Sequence, residues 1–165
     1  MKTYILRVLF WLAVSATSTW AIDMVDRIVA TINDQAITLS ELEDKYAAMR
    51  KIVPSMTEQG ALNSMINSAL LLEKARQMKL EGKTPDDLIA AYIDLRIRGS
   101  VIVREDDVEK FYRDNRQDFA GKSYESVHDQ IERYLVEEET TRLLKKHLEE
   151  LRAAADITIL LSDTK

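Results

Sequence analysis

The side chains that could carry out chemistry are few in this sequence, and their spacing is unfavourable. The only two histidines, His128 and His147, lie 19 positions apart with no carboxylates at a metal-ligand spacing. We interpret both as ordinary surface or groove residues of an amphipathic helix. The chain has no cysteine, which excludes a thiol nucleophile, a thiolate metal site and a disulfide.

Glycines and carboxylates add no recognisable site. The four glycines occur singly, at positions 60, 82, 99 and 121, so no phosphate-binding loop is present. The acidic runs 106–107 and 137–139 are typical of a solvated helix face. The sequence therefore predicts a protein that is not an enzyme, with no catalytic residues, no metal and no cofactor.

Composition restricts the class of partner. The chain of 165 residues is 46% hydrophobic and 31% charged, with 4 glycines and 2 prolines, which favours a helical globular domain. The net charge is −5. Because nucleic-acid binding depends on clustered Lys and Arg, an acidic chain of this kind predicts no nucleic-acid partner.

The first 21 residues have the order of a secretory signal peptide. Lys2 and Arg7 flank a short basic start, an apolar run covers 8–16, and Thr19 and Ala21 are small residues at the end. We predict cleavage after Ala21. The alternative is an uncleaved N-terminal anchor, but the run is short for a membrane span, so no stable membrane insertion is expected.

The mature chain, 22–165, predicts a mostly α fold with a small antiparallel sheet. Residues 28–32 alternate like a strand, with Ile28, Ala30 and Ile32 on one side, and 36–39 can return as a hairpin. Ser40 and Glu43 predict a capping box and a helix to about residue 51. The terminal segment 156–161 predicts a third strand, for which the hairpin is the available partner.

Four further helices are predicted between the sheet strands. The second runs from about Thr57 to Gly82, and the third begins at the Thr84–Pro85 start signal, runs to about Gly99 and directs Leu88, Ile89, Tyr92, Leu95 and Ile97 inward. The fourth covers 105–115. A long fifth helix follows Ser123, and its apolar stripe fails between 136 and 143. That gap indicates either a solvated middle section or a helix that bridges a cleft.

Methionine and other apolar residues gather at the end of the first helix, beside Pro54. A helix end next to a proline is poorly covered, and flexible thioethers suit surfaces that accept varied apolar partners. We predict an apolar binding surface there, in a cleft bounded by the first two helices and the long fifth one. Its residues are Tyr46, Met49, Ile52, Val53 and Met56.

Four segments in this order resemble the chaperone module of SurA/PrsA-type periplasmic foldases. They are "VDRIVATINDQAITLSELE", "ALNSMINSALLLEKARQMKL", "REDDVEKFYRDNRQDF" and "YESVHDQIERYLVEEETTRLLKKHLEELRAAADITIL". In that family a parvulin-type prolyl isomerase domain separates the last two segments. Here only 120–122 separates the N-terminal part, 22–119, from the C-terminal helix and strand, 123–161, so the resemblance implies that the isomerase domain is absent.

The resemblance implies an ATP-independent periplasmic holdase for unfolded or partly folded exported proteins, such as outer-membrane proteins. An alternative is a dedicated structural or assembly subunit of an exported complex with one fixed partner. Because the terminal helix and strand follow a three-residue junction, exchange of this segment between two chains, giving a domain-swapped homodimer, is an alternative to a closed monomer.

The family pattern has Ser or Thr where Arg104 stands, which predicts a weak start for the fourth helix.

Overall fold

The computed structural model describes residues 26–161. Its strands are β1 (Ile28–Ile32), β2 (Gln35–Thr38) and β3 (Ile157–Ile159). Its α-helices are α1 (Leu39–Arg50), α2 (Glu58–Gln77), α3 (Pro85–Arg96), α4 (Glu105–Asp114) and α5 (Tyr124–Ala154). Short 3₁₀ turns follow α3, at Arg98–Ser100, and α4, at Arg116–Phe119. The prediction of a mostly α fold with a small antiparallel sheet is confirmed.

The sheet has the strand order β2-β1-β3, and both pairings are antiparallel. The hairpin turns at Asn33, whose φ of 50° is left-handed, a conformation that Asn tolerates better than most residues. Asn33 also joins the chain ends, because its N–H donates to the Asp156 carbonyl and its Oδ1 accepts from the Asp156 N–H. The predicted pairing of the C-terminal strand with the N-terminal hairpin is confirmed within one chain, whereas the domain-swapped homodimer stays a prediction.

The predicted faces of β1 are wrong at its start. The register shifts between Ile28 and Ala30, so a bulge leaves Val29 without a partner on β2. Val29 and Ala30 are therefore both fully buried, while Ile28 is 43% exposed. The Val29 carbonyl instead accepts hydrogen bonds from the N–H groups of Leu160 and Leu161.

The first helix begins two residues earlier than predicted. Thr38, not Ser40, is the N-cap: its hydroxyl accepts from the Glu41 N–H, and the Glu41 carboxylate accepts from the Thr38 N–H at 2.9 Å. Both pairs have the capping-box spacing in the sequence. The strand decides between them, because Thr38 is the last extended residue of β2 and the chain turns directly into α1.

The second and third helices are shorter than predicted. Helix α2 ends at Gln77, because Lys79 adopts a left-handed φ of 56° and the Leu80 N–H turns back to the Ala75 carbonyl. Gly82 does not end α2; it allows the chain to pass close to the start of α3. A Cβ there would lie 2.9 Å from the Asp87 Cβ and 3.0 Å from the Leu88 nitrogen, so only glycine allows this approach to the first turn of α3.

Helix α3 starts as predicted, with Thr84 as the N-cap and Pro85 in the first turn, but it ends at Arg96. Leu95 is 56% exposed, so its predicted inward direction is wrong, whereas Ile97 is buried as predicted. The chain tightens into a 3₁₀ turn directly after Ile97. At α4, the Arg104 side chain makes no cap hydrogen bond, and the Asp107 carboxylate accepts the Arg104 N–H.

Two apolar clusters form the core. The main cluster joins the sheet, α1, α2, α3 and the C-terminal half of α5; its largest fully buried side chains are Ile32, Leu42, Leu62 and Ile66. The smaller cluster joins α4 to the N-terminal half of α5 through Val108, Val127 and Ile131. The connection between α4 and α5 contains two consecutive left-handed residues, Ala120 and Gly121, with φ of 47° and 80°.

The gap in the apolar stripe of α5 lies between the two clusters. Thr140 is buried there and its hydroxyl donates to the Val136 carbonyl at 2.6 Å. The Glu137 carboxylate accepts hydrogen bonds from both terminal nitrogens of Arg98, at 2.5 and 3.3 Å. This pair holds the 3₁₀ turn after α3 against the middle of α5. Helix α5 therefore carries residues of both clusters. Within residues 26–161, none of the helices has the length and apolar character needed to cross a membrane.

Candidate polypeptide-binding surfaces

The five residues predicted to bind clients differ in exposure. Tyr46 and Met49 are half-buried and pack against the main cluster, so only part of each side chain is accessible. Ile52 is 83% exposed and Val53 is 42% exposed. Met56 is half-buried, and its Sδ would lie 3.0 Å from a Cβ placed on Gly60. The exposed apolar surface at this end of α1 therefore consists chiefly of Ile52 and Val53.

The loop that presents Ile52 and Val53 is hydrogen-bonded. The Met49 carbonyl accepts from the N–H groups of both Ile52 and Val53, and the Val53 carbonyl accepts from the Met56 N–H. Thr57 then caps α2 through its hydroxyl, which accepts from the Gly60 N–H at 3.0 Å. The two apolar side chains thus extend from a defined turn between two helices.

A larger apolar groove lies elsewhere, between β2, α1 and α2, and we call it the β2 groove. Its volume is about 590 Å³. Ten residues line it: Ile32, Gln35, Ala36, Ile37, Glu41, Asp44, Lys45, Ala48, Met65 and Ala69. None of the five predicted residues is among them, so sequence reasoning missed this groove. Its signal in the sequence is the small residues Ala48 and Ala69, which leave space where larger apolar side chains would close it.

The position of β2 adds hydrogen-bonding capacity to the β2 groove. In the order β2-β1-β3, one side of β2 pairs with β1, and on its other side β2 pairs with no strand of residues 26–161, so it is an edge of the described sheet. Such an edge presents backbone N–H and C=O groups that can pair with another extended chain. The exposed charged residues Glu41, Asp44 and Lys45 also line the groove. The β2 groove therefore offers both apolar contacts and backbone hydrogen bonds to an extended polypeptide.

A second groove of about 480 Å³ lies between α2 and α5, and we call it the α2–α5 groove. Its lining residues are Asn63, Asn67, Thr141, Leu144, Lys145, Leu148, Glu149 and Arg152. The Arg152 guanidinium donates to the side-chain oxygens of Asn67, at 2.9 Å, and Asn63, at 3.3 Å. Asn63 and Asn67 are one turn apart on α2, which directs both amides towards α5.

The two histidines connect helices. His147 Nε2 lies 2.7 Å from the Tyr92 hydroxyl, and the two rings stack with centroids 5.8 Å apart, which joins α3 to α5. His128 Nε2 lies 2.9 Å from a Glu105 oxygen, which joins α5 to the first turn of α4. The Tyr124 hydroxyl donates to the other oxygen of Glu105. Both histidines thus contribute to packing between helices, in agreement with their interpretation as surface or groove residues.

The carboxylates around His128 favour its protonated form. The hydrogen bond to Glu105, followed by that to Asp129, raises the pKa of His128 from 6.5 to about 9. The Glu105 carboxylate raises the pKa of Tyr124 to about 12, and the Tyr124 and His128 hydrogen bonds lower the pKa of Glu105. Both ring nitrogens of His128 face carboxylates, which is the arrangement of an imidazolium donor.

One cluster of side chains among residues 26–161 has atoms close enough together to be considered as metal ligands. Ligand atoms of His128, Asp129 and Glu132 lie within 4.8 Å of one another, with both carboxylates exposed. Two of these residues are adjacent and the third lies one turn away on α5, a spacing that is common on helix surfaces. Because hydrogen bonds to Glu105 and Asp129 already account for both ring nitrogens of His128, the cluster is explained as an ion-pair network between α4 and α5.

The His128 network predicts a loss of stability at alkaline pH. A pKa raised in the folded state means that the stabilisation is fully present below pH 6.5 and is lost as the pH rises through about 9. The melting temperature of the wild type is therefore expected to fall between pH 6.5 and 9.5 by more than that of His128→Gln, which keeps a polar side chain without the charge. The two proteins would show parallel pH profiles if the ion pair contributed nothing.

No family model matches this chain, and no curated protein is significantly similar to it.

Proposed function

We propose that this protein is an ATP-independent holdase that binds unfolded or partly folded exported polypeptides in the periplasm. The observation that carries the proposal is the β2 groove, in which an apolar floor lies beside the open edge of β2. An unfolded chain offers the two complementary features, apolar side chains and unpaired backbone groups. The resemblance to SurA/PrsA-type chaperone modules and the signal-like N-terminus support the proposed location.

The size of the groove suits reversible binding. Each apolar contact is worth about 1 to 3 kcal/mol, so a few such contacts, after the cost of ordering the client, leave a weak affinity. Release then requires no nucleotide. The exposed charged residues that line the groove, Glu41, Asp44 and Lys45, keep its surroundings hydrated.

A charge inserted into the groove is expected to weaken client binding. Ala48 lines the β2 groove and is exposed, so Ala48→Glu introduces a carboxylate there without changing the core, and Glu is a good helix former. We expect about tenfold weaker binding of unfolded clients, since burying an unpaired charge opposes binding. Suppression of client aggregation, measured by light scattering with at least two unrelated clients, checks this expectation.

The matched control is Ala47→Glu. Ala47 is the neighbouring exposed alanine on α1 and lies outside the groove, so this variant has the same charge and helix propensity. Ala47→Glu should protect clients as the wild type does. Equal protection by both variants would contradict binding in the β2 groove, and a failure of the wild type to protect any client would contradict the holdase itself.

The exposed pair Ile52 and Val53 supplies a separate test of the surface predicted from the sequence. Ile52→Ser with Val53→Ser should leave the melting temperature within about 2 °C of the wild type, because exposed substitutions cost little. If these side chains contact clients, aggregation suppression falls several-fold in this variant. Ile102→Ser, at a site 80% exposed and remote in sequence, is the control. Unchanged protection would remove Ile52 and Val53 from the client-binding surface.

The same aggregation assays distinguish a holdase from the alternative, a dedicated subunit with one fixed partner. A holdase protects several unrelated clients. A subunit with one fixed partner would protect none of them and would be isolated from its native cell with one protein at constant stoichiometry. That second result would overturn the proposed function.

A further inference from the structure

The α2–α5 groove contains a cation that has no anionic partner in the described chain. Across residues 26–161, no carboxylate lies within 4.0 Å of the Arg152 guanidinium, whereas Arg142 on the same helix is paired with Glu139 at 2.5 Å. Its hydrogen bonds go to the amide oxygens of Asn63 and Asn67. Neutral amides orient the guanidinium without neutralising its charge, so the attraction for an anion is retained.

The other polar groups of the groove are also rich in donors. When Asn63 and Asn67 direct their side-chain oxygens at Arg152, their NH₂ groups are left to donate elsewhere. Lys145 and Thr141 line the same groove, and Glu149 is its one acid among the described residues. The donors therefore outnumber the acceptors around this groove, which favours an anionic ligand.

The rest of the lining is apolar. Leu144 and Leu148 lie one turn apart on α5, both half-buried, and form an apolar strip. Arg152 is the next residue in this series, one turn beyond Leu148, so the charge stands at the end of the strip. A ligand that complements this sequence of groups has a carboxylate at one end and apolar groups behind it.

We propose that the α2–α5 groove binds the C-terminal carboxylate of an extended polypeptide whose last side chains are apolar. This inference rests on the proposed function, and it specifies one feature that the holdase recognises in its clients. A peptide suits the groove better than a fatty acid does. The amides of Asn63 and Asn67 and the Thr141 hydroxyl can pair with peptide backbone groups, whereas an open groove leaves much of an alkyl chain in water.

The test compares two forms of one probe, a fluorescein-labelled hexapeptide that ends in two leucines, with either a free C-terminal acid or a C-terminal amide. Fluorescence anisotropy with the full chain is expected to show at least tenfold tighter binding of the acid, because a charge-assisted hydrogen bond to a guanidinium is lost in the amide. This comparison on the wild type needs no variant to fold.

Two variants connect the preference to the groove. Arg152→Gln, which can still bond to Asn63 and Asn67, should remove the preference for the acid, and Arg152→Lys should retain part of it. Lys146→Gln is the control, because Lys146 is an exposed cation on the same helix that does not line the groove. It should leave the preference unchanged. The melting temperature of each variant confirms that it is folded.

The outcomes separate this inference from the proposed function. Equal binding of acid and amide by the wild type, or a preference that persists in Arg152→Gln, overturns the carboxylate site even when several unfolded clients are still protected. Tight binding of decanoate without binding of the peptide acid would also overturn it, since the occupant would then be a fatty acid. Failure of the wild type both to protect clients and to bind either peptide would contradict the holdase as well.

Discussion

Deletion of Ala155–Lys165 is expected to lower the free energy of unfolding by about 3 kcal/mol or more, since it removes half-buried apolar side chains and several backbone hydrogen bonds. The apolar side chains are those of Ala155, Ile157 and Leu161, which pack against the main cluster. The backbone bonds are those of β3 with β1, together with the bonds of Leu160 and Leu161 to the Val29 carbonyl. β1 would then become an edge strand, and its buried Val29 and Ala30 would lose their cover on that side.

Thermal unfolding measured by circular dichroism checks this expectation, and a loss of this size corresponds to a fall in melting temperature of roughly 10 °C for a chain of this length. The matched control is a chain that ends at Leu161, which keeps β3 and lacks only residues 162–165. It should melt as the wild type does. An equal melting temperature for both truncations would contradict a stabilising role for β3.

The same deletion bears on the swapped homodimer. If β3 is exchanged between two chains, the wild type is a dimer and the truncated chain is a monomer, which light scattering after size exclusion distinguishes. A monomeric wild type with the expected loss of stability on truncation corresponds to the closed pairing of β1 with β3 in one chain.

Substitution of Ile131 by alanine is expected to separate α4 from α5 while the main cluster stays folded. Ile131 is 1% exposed and belongs to the smaller cluster, with Val108 and Val127. Removal of a buried isoleucine side chain costs about 2 to 5 kcal/mol. The smaller cluster has three buried side chains and the main cluster has thirteen, so a loss of this size is a much greater fraction of the stability of the α4–α5 pair.

Hydrogen exchange measures this effect by region. In Ile131→Ala, the amides of α4 should exchange at least tenfold faster, whereas those of α2 should keep their protection, because local opening follows the stability of the local unit. Leu62→Ala, at a fully buried site of α2, is the matched variant and should weaken protection throughout the sheet, α1 and α2. Uniform loss of protection in Ile131→Ala would mean that the two clusters unfold as one unit.

This difference between the clusters has a consequence for function. The β2 groove and the α2–α5 groove are both built on elements of the main cluster. Movement of α4 relative to the rest of the chain would therefore leave both grooves intact. Helix α5 is the exception, because it contributes Leu144, Leu148 and Arg152 to one groove and Ile131 to the smaller cluster.

Local patterns in the sequence determined most of the secondary structure. Thr84 followed by Pro85 defined the start of α3, and the apolar period of α2 defined a core helix, because caps and helical periodicity depend on residues within a few positions of one another. The alternation at each end of the chain also predicted that the third strand would join the hairpin. The caps and helical periods are local features, and the third strand had only the hairpin available as a pairing partner.

Tertiary structure alone decided the features that depend on space between elements. The bulge at Val29, the choice of Thr38 over Ser40 as a cap and the exposure of Leu95 follow from how strands and helices meet, which no spacing within one element specifies. The grooves follow the same rule. Tyr46 and Met49 were predicted as binding surface, but they pack against the main cluster, whereas Ala48, one position before Met49, lines the β2 groove. A groove is the volume that packed elements leave unfilled, so the sequence determines its lining residues only through the complete fold.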